Sequence, residues 1–116
     1  MTDFDSNGNR QTWRSVTKKF QVGPECGYLT VVLEDEKPIR ILVDISRQGS
    51  TVSGFARQWA QMFTLALDAG APLEKLVEEN LGVSFEPDSW SDMGFARSIV
   101  DYIAKYIHER YLMSKG

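Results

Sequence analysis

This sequence contains one cysteine, Cys26, and one histidine, His108. A single thiol excludes an intrachain disulfide and any zinc site built from several cysteines. Any Ser-His-Asp constellation would have to use His108, which falls late in a helical pattern with no nucleophile at a fixed spacing, so it reads as a surface or helix-end residue. Long apolar runs are missing as well. Residues 28–33 and 41–45 are the longest, far short of the ~20 residues that span a bilayer. The first ten residues lack a basic start followed by an apolar core. Neither a membrane segment nor a secretory signal is expected, and a cytoplasmic location follows by default. Charge of one sign is also lacking. With 13 Lys and Arg against 16 Asp and Glu, net -3, nothing draws the chain generally to phosphate backbones or anionic lipid, so nucleic acid is not an expected partner. The acidic run Glu34-Asp35-Glu36 has no calcium-loop spacing and sits beside Lys37, which makes it a solvated turn rather than a cation site.

What remains is an ordinary globular composition, 42% apolar and 25% charged over 116 residues. That is room for one domain and no second core. Residues 1–11 are polar and read as a flexible arm, leaving 12–116 as the domain. Residues 12–22 suggest a basic strand, and Gly23-Pro24-Glu25-Cys26-Gly27 a loop. Residues 28–33 and 39–45 are β-branched and apolar, an antiparallel hairpin with about five residues between its arms. Ile39, Ile41, Val43 and Ile45 would share the core face.

At Val52 the period changes. Val52, Phe55, Ala56, Trp59, Ala60, Met62, Phe63, Ala66 and Leu67 recur at helical steps, with Gly70 as the stop. Trp59, Met62 and Phe63 therefore read as core rather than as a cofactor pocket. A second helix starts at Pro72 and stops at Gly82, with Glu74, Lys75, Glu78 and Glu79 on its wet side; 83–93 is a loop; a third helix runs from about Phe95 to Leu112. Trp13 and Trp90 lie outside the periodic segments and read as surface packing or interface anchors. Strands first and helices after implies an α+β fold: a small antiparallel sheet of two or three strands covered on one face by about three helices.

One local feature is chemically open. Arg47, Gly49, Ser50, Thr51 and Ser53 lie where the second hairpin arm runs into the first helix. Hydroxyls beside the free N–H groups of a helix start can hold a phosphate or carboxylate. Ser50 or Thr51 as a plain N-cap fits the same residues, and the spacing is not that of a phosphate loop.

Taken in order, Cys26-Gly27-Tyr28-Leu29-Thr30-Val31, the apolar run 41–45, Arg47-Gln48-Gly49-Ser50, and Leu65-Ala66-Leu67-Asp68-Ala69-Gly70-Ala71-Pro72-Leu73-Glu74 resemble the TSCPD domain. That family is found at the C-terminus of adenosylcobalamin-dependent ribonucleotide reductases and as small free-standing proteins. The likeness spans roughly residues 23–107. Members often carry four cysteines suggestive of a metal site; here Cys26, beside Gly27, is the one in place. The namesake Thr-Ser-Cys-Pro-Asp corresponds to Arg97-Ser98-Ile99-Val100-Asp101, which keeps Ser98 and Asp101 and replaces Cys and Pro by apolar residues. The resemblance thus implies a domain without zinc or another cofactor, in which Ile99 joins the core and Ser98 and Asp101 act as polar or capping residues at the start of the last helix. Reductase chemistry in that family needs a radical-forming thiol and a cysteine pair, which one cysteine cannot supply. The expectation is a non-catalytic accessory or regulatory module in deoxyribonucleotide synthesis that contacts a ribonucleotide reductase subunit or forms a homo-oligomer. The alternative is a small-ligand binder holding a nucleotide phosphate at residues 47–53.

Overall fold

The computed structural model of the chain describes residues 2–4, 10–46 and 51–113. Of the expected N-terminal arm, residues 1 and 5–9 lie outside this set, whereas strand β1 (Thr2–Phe4) pairs antiparallel with the start of β2 (Arg10–Val22). Strands β3 (Glu25–Glu34) and β4 (Lys37–Ile45) complete an antiparallel sheet in the order β1-β2-β3-β4. Alternation divides its residues cleanly. Phe20, Val22, Leu29, Val31, Leu33, Ile41, Val43 and Ile45 are buried on one face, as the hairpin pattern predicts for the last three. Tyr28, Thr30, Leu42 and Asp44 lie on the other, which no helix covers among the described residues. Gly27 is required by a close approach: a Cβ there would stand 2.5 Å from the Asp44 carbonyl oxygen and 3.2 Å from the Ile45 Cα. Its backbone must lie flat for β3 and β4 to pair.

Helix α1 (Thr51–Asp68) runs along β4, the sheet's outer strand. Its Thr64 Oγ1 accepts from the Ile41 N–H (3.0 Å) and donates to the Ile41 carbonyl (3.2 Å), satisfying edge groups that would otherwise be open to another strand. Helix α2 (Leu73–Asn80) follows Pro72 and is joined to α1 by the Trp59 indole N–H, which donates to Asn80 Oδ1 at 3.3 Å. A small hairpin, β5 (Ser89–Ser91) and β6 (Gly94–Ala96), leads into α3 (Ile99–Ile107), which continues as a π-helical turn, His108–Leu112. Helix α3 is the most deeply buried element: Tyr102, Ile103, Ala104, Tyr106 and Ile107 all belong to the core, with Tyr102 against Phe20 at a ring separation of 5.3 Å.

The α+β class and the one-sided helical cover are as the sequence implies, but several boundaries move. The loop at 23–27 contracts to the Gly23-Pro24 turn, because Glu25, Cys26 and Gly27 already pair with Val22, Gln21 and Phe20. The five-residue hairpin loop is a two-residue turn, Asp35-Glu36, with φ of 52° and 68°; Lys37 and Pro38 are drawn into β4, and a bulge at Val32/Leu33 absorbs the irregularity. Phe95 is in a strand rather than a helix, and α3 begins at Ile99. The apolar stripe on α1 is wider than its buried part. Phe63 and Ala60 are buried and Trp59 is half-buried, but Phe55 is 74% and Met62 63% exposed, since α1 lies at the sheet's edge and only one side of it meets the core.

Candidate functional site

The positions singled out by the family pattern fall where three loops meet the start of α3. Ser98 is extended and caps the helix: its Oγ accepts from the Asp101 N–H at 3.0 Å and donates to the Val83 carbonyl at 2.6 Å. Asp101 is 0% exposed. Its Oδ1 accepts from the Gly82 N–H at 2.7 Å, and its Oδ2 from the Arg97 N–H at 2.9 Å and the Lys105 ammonium at 3.2 Å. Lys105 also donates to the Phe95 carbonyl at 2.6 Å. One serine and one carboxylate therefore join the end of α2, the 83–85 segment, β6 and α3. Gly82, at φ 78°, presents its N–H to the carboxylate in a conformation that a side chain would resist. All of these groups are used within the fold, and Ile99 is buried beside them in the core. Sequence reasoning places Ser98 and Asp101 at the helix start, but does not identify Gly82, Val83 or Arg97 as partners. Lys105, one turn after Asp101, is the one partner carrying a local signal.

A second polar chain lies nearby. The Tyr102 hydroxyl donates to Asp92 Oδ1 (3.0 Å), and the Lys18 ammonium meets Asp92 Oδ2 at 2.7 Å. Burial, and then the neighbouring carboxylate, push the Tyr102 phenol far above its ordinary pKa, so it remains a neutral donor bridging α3 and the small hairpin.

Of the expected anion-binding residues, Arg47, Gly49 and Ser50 lie outside the described residues. Thr51 opens α1 and is exposed, while Ser53 is buried. Thr51 borders an apolar groove of ≈ 460 Å³ whose walls include Phe55, Trp59, Phe85 and Val100. Cys26 is half-buried in β3, opposite Gln21 and next to Gly27. Strand alternation puts it on the open face with Tyr28, away from Ser98 and Asp101. Among the described residues no group of three or more His, Cys, Asp and Glu side chains is gathered so as to hold a metal ion, and no helix is long and apolar enough to cross a membrane.

Comparison with known proteins agrees with the pattern read from the residues. The family model of the TSCPD domain matches residues 4–111. The vitamin B12-dependent ribonucleotide reductase of Rhodopirellula baltica is 34% identical over 100 residues, covering 83% of this chain and 10% of that protein. The proteins of the same description from Streptomyces avermitilis and Streptomyces coelicolor are each 34% identical over 92 residues, 76% of this chain and 10% of theirs. The chain thus spans about a tenth of the length of the curated relatives it matches. No solved structure matches it.

Burial acts to raise the Asp101 pKa, but the Arg97 and Gly82 N–H groups, and then Lys105, outweigh it and hold the carboxyl below its ordinary value. A carboxylate lowered in the native state stabilises the fold above its unfolded pKa of ~3.9. That contribution is lost as pH falls through the native value. Asp101→Asn should cost about 1–3 kcal/mol at pH 7, because the amide NH2 cannot accept and one of the Gly82 and Arg97 N–H groups loses its acceptor. The gap from wild type should narrow below about pH 4. Urea denaturation at pH 7 and pH 3 checks this; a variant as stable as wild type at pH 7, or an equal gap at both pH values, contradicts it.

Proposed function

The chain belongs to the TSCPD domain family, and from that premise we propose that it is a non-catalytic accessory or regulatory module of deoxyribonucleotide synthesis. It acts in the cytoplasm through protein–protein contacts, with a vitamin B12-dependent ribonucleotide reductase subunit and with a second copy of itself as its partners. The observation that carries this reading is the apolar groove at the start of α1. Phe55, 74% exposed, lines it together with Phe85 and the half-buried Trp59. Aromatic side chains around a concave apolar floor are the usual anchors of a protein interface. The family positions Ser98 and Asp101 support the same reading, since they are occupied in holding loops together rather than turned toward a substrate. Relatives that contain a similar segment as a tenth of a much longer reductase supply the partner class.

Phe55→Asp tests the reading because the substitution is at an exposed position and leaves the core intact. Binding of the purified chain to a B12-dependent ribonucleotide reductase from the same source, followed by calorimetry, should weaken by about tenfold or more, as for loss of an interface anchor. No binding by the wild-type chain, or equal binding by the variant, counts against the proposal.

The second reading, a nucleotide binder, is favoured by the junction of that groove with Thr51. A base stacked on Phe55 or Trp59 would place a phosphate near Thr51, at the N–H groups that open α1. On this reading, nucleoside triphosphates raise the melting temperature of the wild-type chain, and Arg47→Ala with Ser50→Ala removes the rise. A melting temperature unchanged by nucleotide, or a rise that survives the double substitution, eliminates it.

A further inference from the structure

The groove between β4 and α1, on the uncovered side of the sheet, has a charge arrangement that matches its own reverse. It measures ≈ 590 Å³ and is walled by Arg40, Leu42 and Asp44 from β4 and by Arg57, Leu65 and Asp68 from α1. Arg40, Leu42 and Asp44 project from the same face of one strand, Leu42 midway between the charges and 50% exposed. Arg57, Gln61, Thr64 and Asp68 follow one another at steps of four, three and four, so they form a single stripe along α1. The two elements run in opposite directions: Arg57 lies 4.0 Å from Asp44, and Thr64 is bonded to Ile41. Each end of the groove therefore carries one base and one acid, Arg57 with Asp44 at one end and Asp68 with Arg40 at the other. The span from Arg40 to Asp44 is ~13 Å at the rise of a strand. From Arg57 to Asp68 it is ~16 Å at the rise of a helix. The two pairs share a midpoint close to Leu42.

We infer that this face binds a second copy of the chain about a two-fold axis that crosses the strands at Leu42. Such a rotation lays the two open faces together with strand directions reversed. Leu42 meets Leu42, and Arg40 of each copy meets Asp44 of the other. Along the helices Arg57 of each meets Asp68 of the other. Four cross-copy ion pairs thus surround an apolar centre, to which Leu65, 52% exposed, adds a further side chain. In β3 the same rotation brings Tyr28 over Val32, since these pair with Asp44 and Arg40 respectively in the sheet. An interface that uses the same patch twice has to be self-complementary, and this patch is. Edge-to-edge pairing of β4 with β4 is not the mode, because α1 already covers that edge through Thr64.

This inference rests on the self-association part of the proposed function and names the surface for it. Charge reversal tests it with the 116-residue chain, using sedimentation velocity. Wild type is expected at twice the monomer mass. Arg40→Asp sets acid against acid at both crossings of β4 with its copy, and Asp44→Arg sets base against base there, so each variant alone should dimerise about a hundredfold or more less tightly. In a mixed dimer of the two variants, one crossing pairs two wild-type side chains of opposite charge and the other pairs two substituted ones, again of opposite charge. Mixing should therefore restore the dimer. Two folded monomers that recombine only on mixing cannot be explained by damage to the fold. A wild-type dimer that persists in both variants overturns this surface while leaving self-association standing. A wild-type chain that is monomeric at every concentration overturns both, and variants that fail to recombine on mixing overturn the proposed pairing.

Discussion

Helix α3 is covered on nearly every side, yet its first turn must present unbonded N–H groups in a place that water does not reach. Ser98 meets this demand, accepting from the Asp101 N–H through its hydroxyl and from the Tyr102 N–H through its carbonyl, and the Asp101 side chain ties the same turn to its surroundings. The serine closes the helix start, and the carboxylate gathers two backbone N–H groups from outside the helix and one ammonium from the next turn. A charge with no water around it is tolerated only when its hydrogen-bonding capacity is filled. Here the filling groups come from the end of α2, the segment after β6, and α3, so the position of each depends on the others. The same side chains therefore stabilise α3 and fix the loops that frame the groove beside Phe85.

This arrangement separates a closed core from the exposed part of α1. The buried side of the sheet, with Tyr102, Ile103 and Ile107 above it, is closed and hydrocarbon-filled. Helix α1 stands at the edge, held by Thr64 and by the Trp59–Asn80 hydrogen bond, and contributes only part of its apolar surface to that core. Its remaining surface divides in two. The Phe55 end borders the aromatic groove, and the stripe from Arg57 to Asp68 borders the open sheet face. A domain related to a short segment of a large reductase is in this way compact while two of its surfaces stay outside the core.

What is legible in the sequence follows from period. The alternation Ile41, Val43, Ile45 and the helical spacing of Ile99, Ile103 and Ile107 place those residues in the core without reference to any neighbour. Ser98 and Asp101 are readable as a helix start because the cap bond spans three residues. The Gly82 and Val83 contributions are not, since they arrive from nineteen and fifteen positions away. The short hairpin turn is hidden because Asp35 and Glu36 adopt positive φ, a conformation for which Asn-Gly would be the signal. Exposure of Phe55 and Met62 is equally hidden. Helical period reports which residues share a side, not whether the helix lies over a sheet or at its edge. The residues of the expected anion site divide in the same manner: Ser53 lies in α1 as the period from Val52 indicates, Thr51 is its first residue although the period begins one position later, and Arg47, Gly49 and Ser50 lie outside the described residues.

The Ser98–Asp101 cluster, on this account, opens only when the whole domain opens. Native-state hydrogen exchange measures this directly at the amides of Gly82, Arg97 and Asp101, each of which donates to a side chain of the cluster rather than to a regular ladder. All three should exchange with the protection of Leu29 and Val31 in the centre of the sheet, because only global unfolding frees them. Exchange at those three amides well ahead of the sheet would show the cluster to be a local surface closure, and would contradict the account.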